Sequence, residues 1–206
     1  MKLTNIVSIL FTFLCFNIST FSQHSIGFYG TMNYGSLFPD VNEVDLNPDW
    51  GGGFGVCYYK ELNSDLKIVT QTGLEIIQWQ SDQYDELIPE RKSYWRRSSL
   101  NFYVGANYNF VNNPHFTFGI TLLSRLGYIY NQVFLAGINP QNPTFSLFLT
   151  KESNLLLGID SKIDVQLDIS DKLTFLFRPG ISATYFDIED NLHGQLLIDF
   201  GLLRSI

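Results

Sequence analysis

From Ser25 onward, apolar and polar residues alternate with the two-residue period of a β-strand. The alternation occurs in eight stretches, and the predicted strands span residues 25–34, 50–60, 66–80, 97–110, 115–130, 154–168, 173–186 and 195–204. One face of these strands is apolar and carries no charge, with residues such as Phe28, Phe54, Val104, Leu122 and Ile198. The even number of strands and their consistent parity predict an antiparallel, up-and-down β-barrel.

The opposite face of the same strands is polar. It carries Asn33, Gln71, Glu75, Asn101, Asn107, Arg125, Asp160, Lys162, Asp164, Gln166, Arg178 and Asp199. A soluble barrel has an apolar interior and a charged exterior, whereas a charge facing lipid near the bilayer midplane costs about 2–4 kcal/mol. The uncharged face therefore predicts an all-β, eight-stranded transmembrane barrel with the apolar face outward and the polar face inward.

The lengths of the gaps between strands point to the same class of protein. Gaps after the second, fourth and sixth strands are short and rich in turn residues, at 61–65, 111–114 and 169–172. Gaps after the first, third and fifth strands are long and polar, at 35–49, 81–96 and 131–153. Bacterial outer-membrane barrels have short periplasmic turns and longer external loops. We therefore expect an outer-membrane location with both termini in the periplasm, and long loops that can meet an envelope protein partner.

The first 22 residues have the features of a signal peptide. Lys2 supplies a positive start, residues 6–16 are apolar, and small residues precede Gln23. The expected domains are a leader at 1–22 and a barrel at 23–206. Removing the leader leaves only Cys57, so no intramolecular disulfide can form. Aromatic residues make up 16% of the chain, which suits a barrel with interfacial girdles.

The charge of the chain argues against nucleic acid as a partner. Since one of the 13 basic side chains, Lys2, lies in the leader, the mature chain has 12 basic and 20 acidic side chains. Nucleic-acid binding draws on basic surface, which a net charge of −8 does not provide.

Short segments across the mature chain carry a family resemblance. They are the opening at residues 26–30, the strand Gln71–Leu74 and the closing pair Leu202–Leu203. With these segments the chain resembles the PorT-like and "outer membrane protein beta-barrel" domains, and more distantly the OmpA-type barrel. The resemblance implies a barrel and a role as an accessory to secretion or assembly, and it supplies no catalytic residues that could be assigned to this chain.

An eight-stranded barrel has an interior just wide enough for side chains to fill. Buried polar side chains need partners, and the expected register supplies them. Asp164 is predicted to lie opposite Arg178, and Glu75, Asn101 and Arg125 are predicted to form one layer across three strands. The hypothesis is that these residues close the lumen together with Asp160, Lys162 and Asp199. The alternative left open is that the charges lie hydrated at the lumen mouths.

Other residues suggest contacts outside the lumen. Arg96 and Arg97 lie beside Tyr94 and Trp95, where lipopolysaccharide phosphates are expected, and arginine suits phosphate. The acidic loop residues have no ligand spacing of a metal site, and no cofactor is expected. Cys57, among inward glycines, is interpreted as a small filler residue.

The favoured function is non-enzymatic: envelope structure, surface interaction, or assistance to secretion or assembly. One alternative is a soluble periplasmic lipocalin-like barrel that binds a small hydrophobic ligand, which requires the apolar face to point inward. A second is a membrane-embedded lipid-modifying enzyme, which requires a serine and a histidine adjacent at the membrane face. The histidines are His24, His115 and His193. His115 is predicted to lie near no lipid-facing serine, and nothing in the sequence supports a pairing of His193 with Ser182 or Ser161.

Overall fold

The computed structural model describes residues 23–35, 46–85, 88–138, 146–150, 154–186 and 191–206; the expected leader lies outside them. These residues form ten antiparallel strands. The strands are β1 (His24–Tyr34), β2 (Leu46–Pro48), β3 (Trp50–Glu61), β4 (Leu66–Asp85), β5 (Ile88–Asn113), β6 (Phe116–Ile138), β7 (Ser146–Thr150), β8 (Asn154–Ser170), β9 (Leu173–Phe186) and β10 (Asn191–Ser205). In the part of the chain described, no helix is long and apolar enough to cross a membrane.

Eight of the strands close into a barrel, because β1 pairs with β10 and β4 pairs with β5. From His24, successive cross-strand partners are Lys60, Ile68, Ala106, Leu122, Ser161, Ile181, Leu196 and Tyr34. Following these partners once around the barrel leads back to β1 at Tyr34, ten residues beyond His24. Tilted strands require a stagger of this kind to close into a barrel. The expected fold, an eight-stranded antiparallel barrel, is confirmed.

The barrel strands agree with the predicted segments at the short-turn end and extend further at the other end. β4 runs to Asp85, β5 begins at Ile88 and β6 runs to Ile138. Much of the predicted loops 81–96 and 131–153 is therefore strand, which corrects their assignment as loops. Two short strands also lie beyond the barrel: β2 pairs with β4, and β7 pairs with β6. β2 and β7 pair through backbone hydrogen bonds, which do not require apolar and polar side chains to alternate. The sequence pattern, which detects that alternation, therefore does not predict them.

The two faces of the sheet have the expected polarity. Outward Phe28 is 75% exposed and outward Ile159 is 64% exposed, whereas inward Asn107 and Arg178 are fully buried. The lipocalin-like arrangement, with the apolar face inward, is not the one observed. The apolar exterior is continuous around the barrel, as the exposed Met32, Phe54, Leu74, Val104, Leu122, Leu157, Ile181, Leu196 and Phe200 show.

The position of the Tyr29 side chain inside the barrel requires glycine at two neighbouring positions. Gly55 and Gly73 are cross-strand partners on β3 and β4, and the Tyr29 side chain lies across both. A Cβ added to Gly55 would lie 2.8 Å from Tyr29 Cε1, and one added to Gly73 would lie 2.7 Å from Tyr29 Oη. The two glycines therefore leave the space that the ring occupies.

Candidate functional site

The lumen of the barrel contains a balanced set of buried charges. In the described part of the chain, the buried acidic residues are Glu75, Asp160, Asp164 and Asp199, and the buried Arg and Lys residues are Arg97, Arg125, Lys162 and Arg178. All eight side chains lie on the inward face. We call these residues the lumen network. Four negative and four positive charges cancel, which matters because an uncompensated charge in a low-dielectric interior is strongly unfavourable.

At the loop side of the lumen network, Arg125 forms an ion pair with Glu75. Arg125 Nη2 lies 2.6 Å from Glu75 Oε2, and both side chains are almost completely buried. Tyr103 of β5 lies between them: its hydroxyl donates to Glu75, and the Arg125 guanidinium carbon is 5.4 Å from its ring centroid. The phenol therefore serves as the middle member of the layer.

The expected layer placed Asn101 in that middle position, and this is wrong by two residues. Asn101 pairs with Gly73 and Gly127, whereas Glu75 pairs with Ser99. Each of the two hairpin turns is centred away from the residue assumed from the sequence, and a shift of one residue in a turn centre moves cross-strand partners by two. Asn101 instead donates to the Ser99 hydroxyl at 3.0 Å. The contact between Arg125 and Glu75 survives because the arginine side chain reaches past Tyr103.

At the centre of the lumen, Asp199 is shared by two cations. Arg178 Nη2 lies 2.7 Å and Lys162 Nζ lies 3.0 Å from Asp199 Oδ2. Lys162 also lies 3.2 Å from Asp160, which accepts a hydrogen bond from Ser182 at 2.6 Å. One ammonium group thus joins two carboxylates from two strands.

Arg178 was expected to pair with Asp164, and its actual ion pair is with Asp199. The register does set Asp164 beside Arg178, since Lys162 pairs with Gly180 and Val165 with Phe177. Asp199, however, is the cross-strand partner of Arg178 on its other side, and the guanidinium turns toward it.

Tyr59 connects Arg178 to Asp164. The Tyr59 hydroxyl accepts from Arg178 Nη1 at 2.9 Å and donates to Asp164 at 3.3 Å. Asp164 also accepts from Thr121 at 2.9 Å and from Gln166 at 2.8 Å. The Gln71 amide group lies against the Arg178 guanidinium, and with its oxygen turned toward that cation it accepts hydrogen bonds from it. Sequence reasoning missed Tyr59, Tyr103 and Thr121 as members of this site, although strand parity places all three on the inward face.

Apolar side chains lie inside the lumen on both sides of the ion pairs that Glu75, Asp160 and Asp199 form. Ile77, Ile129 and Leu156 lie toward the loop side of the same inward faces, and Val69, Leu176 and Leu203 lie toward the short-turn side. Each of these six side chains is almost fully buried. The ion pairs are therefore enclosed at both ends, which strengthens their attraction and raises the cost of leaving any one charge unpaired.

Arg96 and Arg97 lie on opposite faces of β5. Arg96 is exposed on the exterior, whereas Arg97 is only 5% exposed and points into the lumen. The expected lipopolysaccharide contact through Arg97 is therefore corrected, because strand alternation turns neighbouring side chains apart. Arg97 pairs with Ile77, two residues beyond Glu75, and supplies the fourth positive charge of the lumen network.

The remaining candidate residues are Cys57 and the acidic residues that could bind a metal ion. Cys57 is buried in a cluster with Tyr29, Tyr59 and Val69, as its interpretation as a filler residue predicts. In the described residues no three His, Cys, Asp or Glu side chains are grouped to hold a metal ion. In the expected loop 35–49, the acidic residues at 40–45 lie outside the residues that the structure describes.

The described histidines do not suggest the arrangement of a lipid-modifying enzyme. His24 Nδ1 lies 2.6 Å from the Tyr58 hydroxyl, and the two rings stack with centroids 5.7 Å apart. His193 is buried inside the lumen instead of lying at the lipid-facing surface. His115 lies in the short turn between β5 and β6.

No family model and no curated protein matches the chain. Solved structures with the same kind of fold include OprG of Pseudomonas aeruginosa, with 9% identity, coverage of 90% of this chain and 96% of that one, and a TM-score of 0.46. Neisserial surface protein A matches with 10% identity, 89% and 97% coverage and a TM-score of 0.44. Ail of Yersinia pestis, solved in complex with the heparin analogue sucrose octasulfate, matches with 13% identity, 88% and 98% coverage and a TM-score of 0.43. At these identities the likeness extends to the barrel fold alone.

Proposed function

We propose that this chain is a non-enzymatic barrel of the bacterial outer membrane whose lumen is closed by its own side chains. The observation that carries the proposal is the reversed polarity of the barrel: apolar side chains cover the exterior and paired charges fill the interior. Water favours the opposite arrangement, whereas a bilayer favours this one. On this proposal the barrel anchors the parts of β4, β5 and β6 that extend beyond it.

The role that follows is envelope structure or surface interaction. The extended strands and the segments at 35–49, 81–96 and 131–153 are the parts of the chain that can reach a partner outside the bilayer. The PorT-like resemblance favours an accessory of a secretion or assembly machine. The short turns and both termini are assigned to the periplasm because outer-membrane barrels have their shorter connections on that side.

Gel mobility provides the direct test of membrane insertion. The mature protein should fractionate with the outer membrane, and in detergent it should migrate differently before and after boiling, because the closed barrel resists unfolding until heated. A soluble periplasmic fraction with one mobility under both conditions would refute the proposal.

Lipopolysaccharide is the proposed lipid partner at the loop side, with Arg96 as the contact. Replacing Arg96 with alanine should weaken retention of lipopolysaccharide during purification about fivefold, since one basic side chain near an anionic surface is worth about 1 kcal/mol. Lys172→Ala is the matched control, because Lys172 is an exposed basic side chain in the short turn between β8 and β9, at the opposite end of the barrel. Equal retention by wild type and Arg96→Ala would exclude Arg96 as the contact.

A further inference from the structure

Two basic side chains lie close together on the exterior of the barrel at its short-turn end. Arg204 is the next-to-last residue of β10 and Lys60 is the next-to-last residue of β3, and β1 lies between these two strands. Both residues share strand parity with exposed side chains, Leu202 in β10 and Phe54 in β3. They therefore point away from the lumen, at the edge of the apolar exterior.

The register brings the two cations to one patch. Arg204 pairs with Ile26, and Lys60 pairs with His24, so the cations flank the first residues of β1. Their backbones lie two strand spacings apart, about 10 Å, and are offset by two residues along the strands, about 7 Å. The resulting separation of about 12 Å is one that the long side chains of arginine and lysine can bridge to reach a single phosphate group. The rings of His24 and Tyr58 lie between the two cations, where they stack on each other and are hydrogen-bonded, so this part of the patch is held in place.

In the described part of the chain, no carboxylate lies within ion-pair distance of Lys60 or Arg204, whereas nearby Lys67 pairs with Glu61 at 2.9 Å. Among the exterior side chains that the structure describes on the barrel strands, the charged ones are Lys60, Arg96 and Arg204. A chain with a net charge of −7 thus presents only basic groups on this part of its exterior.

We propose that Lys60 and Arg204 form a binding site for the phosphate of an anionic phospholipid in the leaflet at the short-turn end. The inference rests on the proposed membrane insertion and adds a lipid partner to it. Arginine binds phosphate through two parallel N–H groups, and lysine adds a compact positive charge. Exposed Ile26, between the two cations, offers an apolar surface to the acyl chains of the same lipid.

Native mass spectrometry of the folded barrel in detergent micelles tests this site. Phosphatidylglycerol and phosphatidylcholine are titrated separately, because both carry a phosphate and only the first has a net negative charge. Wild type should bind phosphatidylglycerol more tightly. Lys60→Ala and Arg204→Ala should each weaken that binding about fivefold, and the double variant about 25-fold.

Lys67→Ala is the matched control, since it removes the same charge at the same end of the barrel from a side chain already paired with Glu61. It should keep the wild-type preference for phosphatidylglycerol. A double variant that binds phosphatidylglycerol like wild type, or a control that loses as much as the double variant, overturns the site. The boiling-dependent mobility shift is measured on the same samples. A wild type without the shift refutes membrane insertion itself, whereas a shifted protein without lipid preference refutes only the site.

Discussion

Replacing Arg178 with alanine is expected to lower the free energy of unfolding by about 3–5 kcal/mol, the usual effect of removing one partner of a buried ion pair. Arg178 is fully buried and contacts Asp199, Tyr59 and Gln71. Without it the lumen network carries one uncompensated negative charge. Urea unfolding of the barrel in lipid vesicles measures the loss of stability.

The same variant should also open the lumen, because the guanidinium fills the space between Asp199 and Tyr59. Single-channel conductance in planar bilayers should rise above that of wild type. The double variant Arg178→Met with Asp199→Asn removes one charge of each sign, so it should recover part of the stability. Wild-type stability together with wild-type conductance in Arg178→Ala would disprove the role of the network in closing the barrel.

Replacing Leu122 with arginine should destabilise the inserted barrel by about 2–4 kcal/mol, the cost of a basic side chain facing lipid near the midplane. Leu122 is 53% exposed on the exterior, in the middle of the barrel portion of β6. In a water-soluble barrel the same substitution at an exposed position would have little effect. Urea unfolding in vesicles measures the difference.

Tyr130→Arg is the control for this substitution. Tyr130 is exposed on the same face of the same strand, nearer the loop side, where the cost falls to about 0–1 kcal/mol. Equal stability of Leu122→Arg and Tyr130→Arg would mean that the exterior of the barrel does not face a hydrocarbon layer.

The sequence predicts the faces of the barrel well because a bilayer and a narrow lumen impose opposite demands on alternate residues. Phe28 and Leu122 could be assigned outward, and Asp160 and Arg178 inward, from parity alone. Parity also places Arg97 inward, on the same face as Asn101. The predicted lipopolysaccharide contact of Arg97 came from the neighbouring aromatic residues, and the inward orientation of its side chain contradicts it, whereas Arg96 remains on the exterior.

Pairing within the lumen was less predictable, because it depends on where each turn is centred. The turn between β5 and β6 lies at Pro114 and His115 instead of at Asn113, and the register also shifts between Asn109 and Val111. Together these two changes move the partner of Arg125 from Asn101 to Tyr103. The extension of β4 to Asp85 was missed for a different reason. In this extension the strands pair through backbone hydrogen bonds, and such pairing does not require apolar and polar residues to alternate.

The seam between β1 and β10 sets the order in which this protein can be assembled. Because the first and last strands of the barrel are hydrogen-bonded neighbours, the cylinder cannot be completed before the end of β10 has been synthesised. The bond from Arg178 to Tyr59 spans 119 residues and can form only when distant parts of the chain meet. Such long-range contacts make folding slow. Until the seam forms, β1 and β10 expose unpaired backbone edges, so the newly made chain needs protection from aggregation during its passage to the membrane.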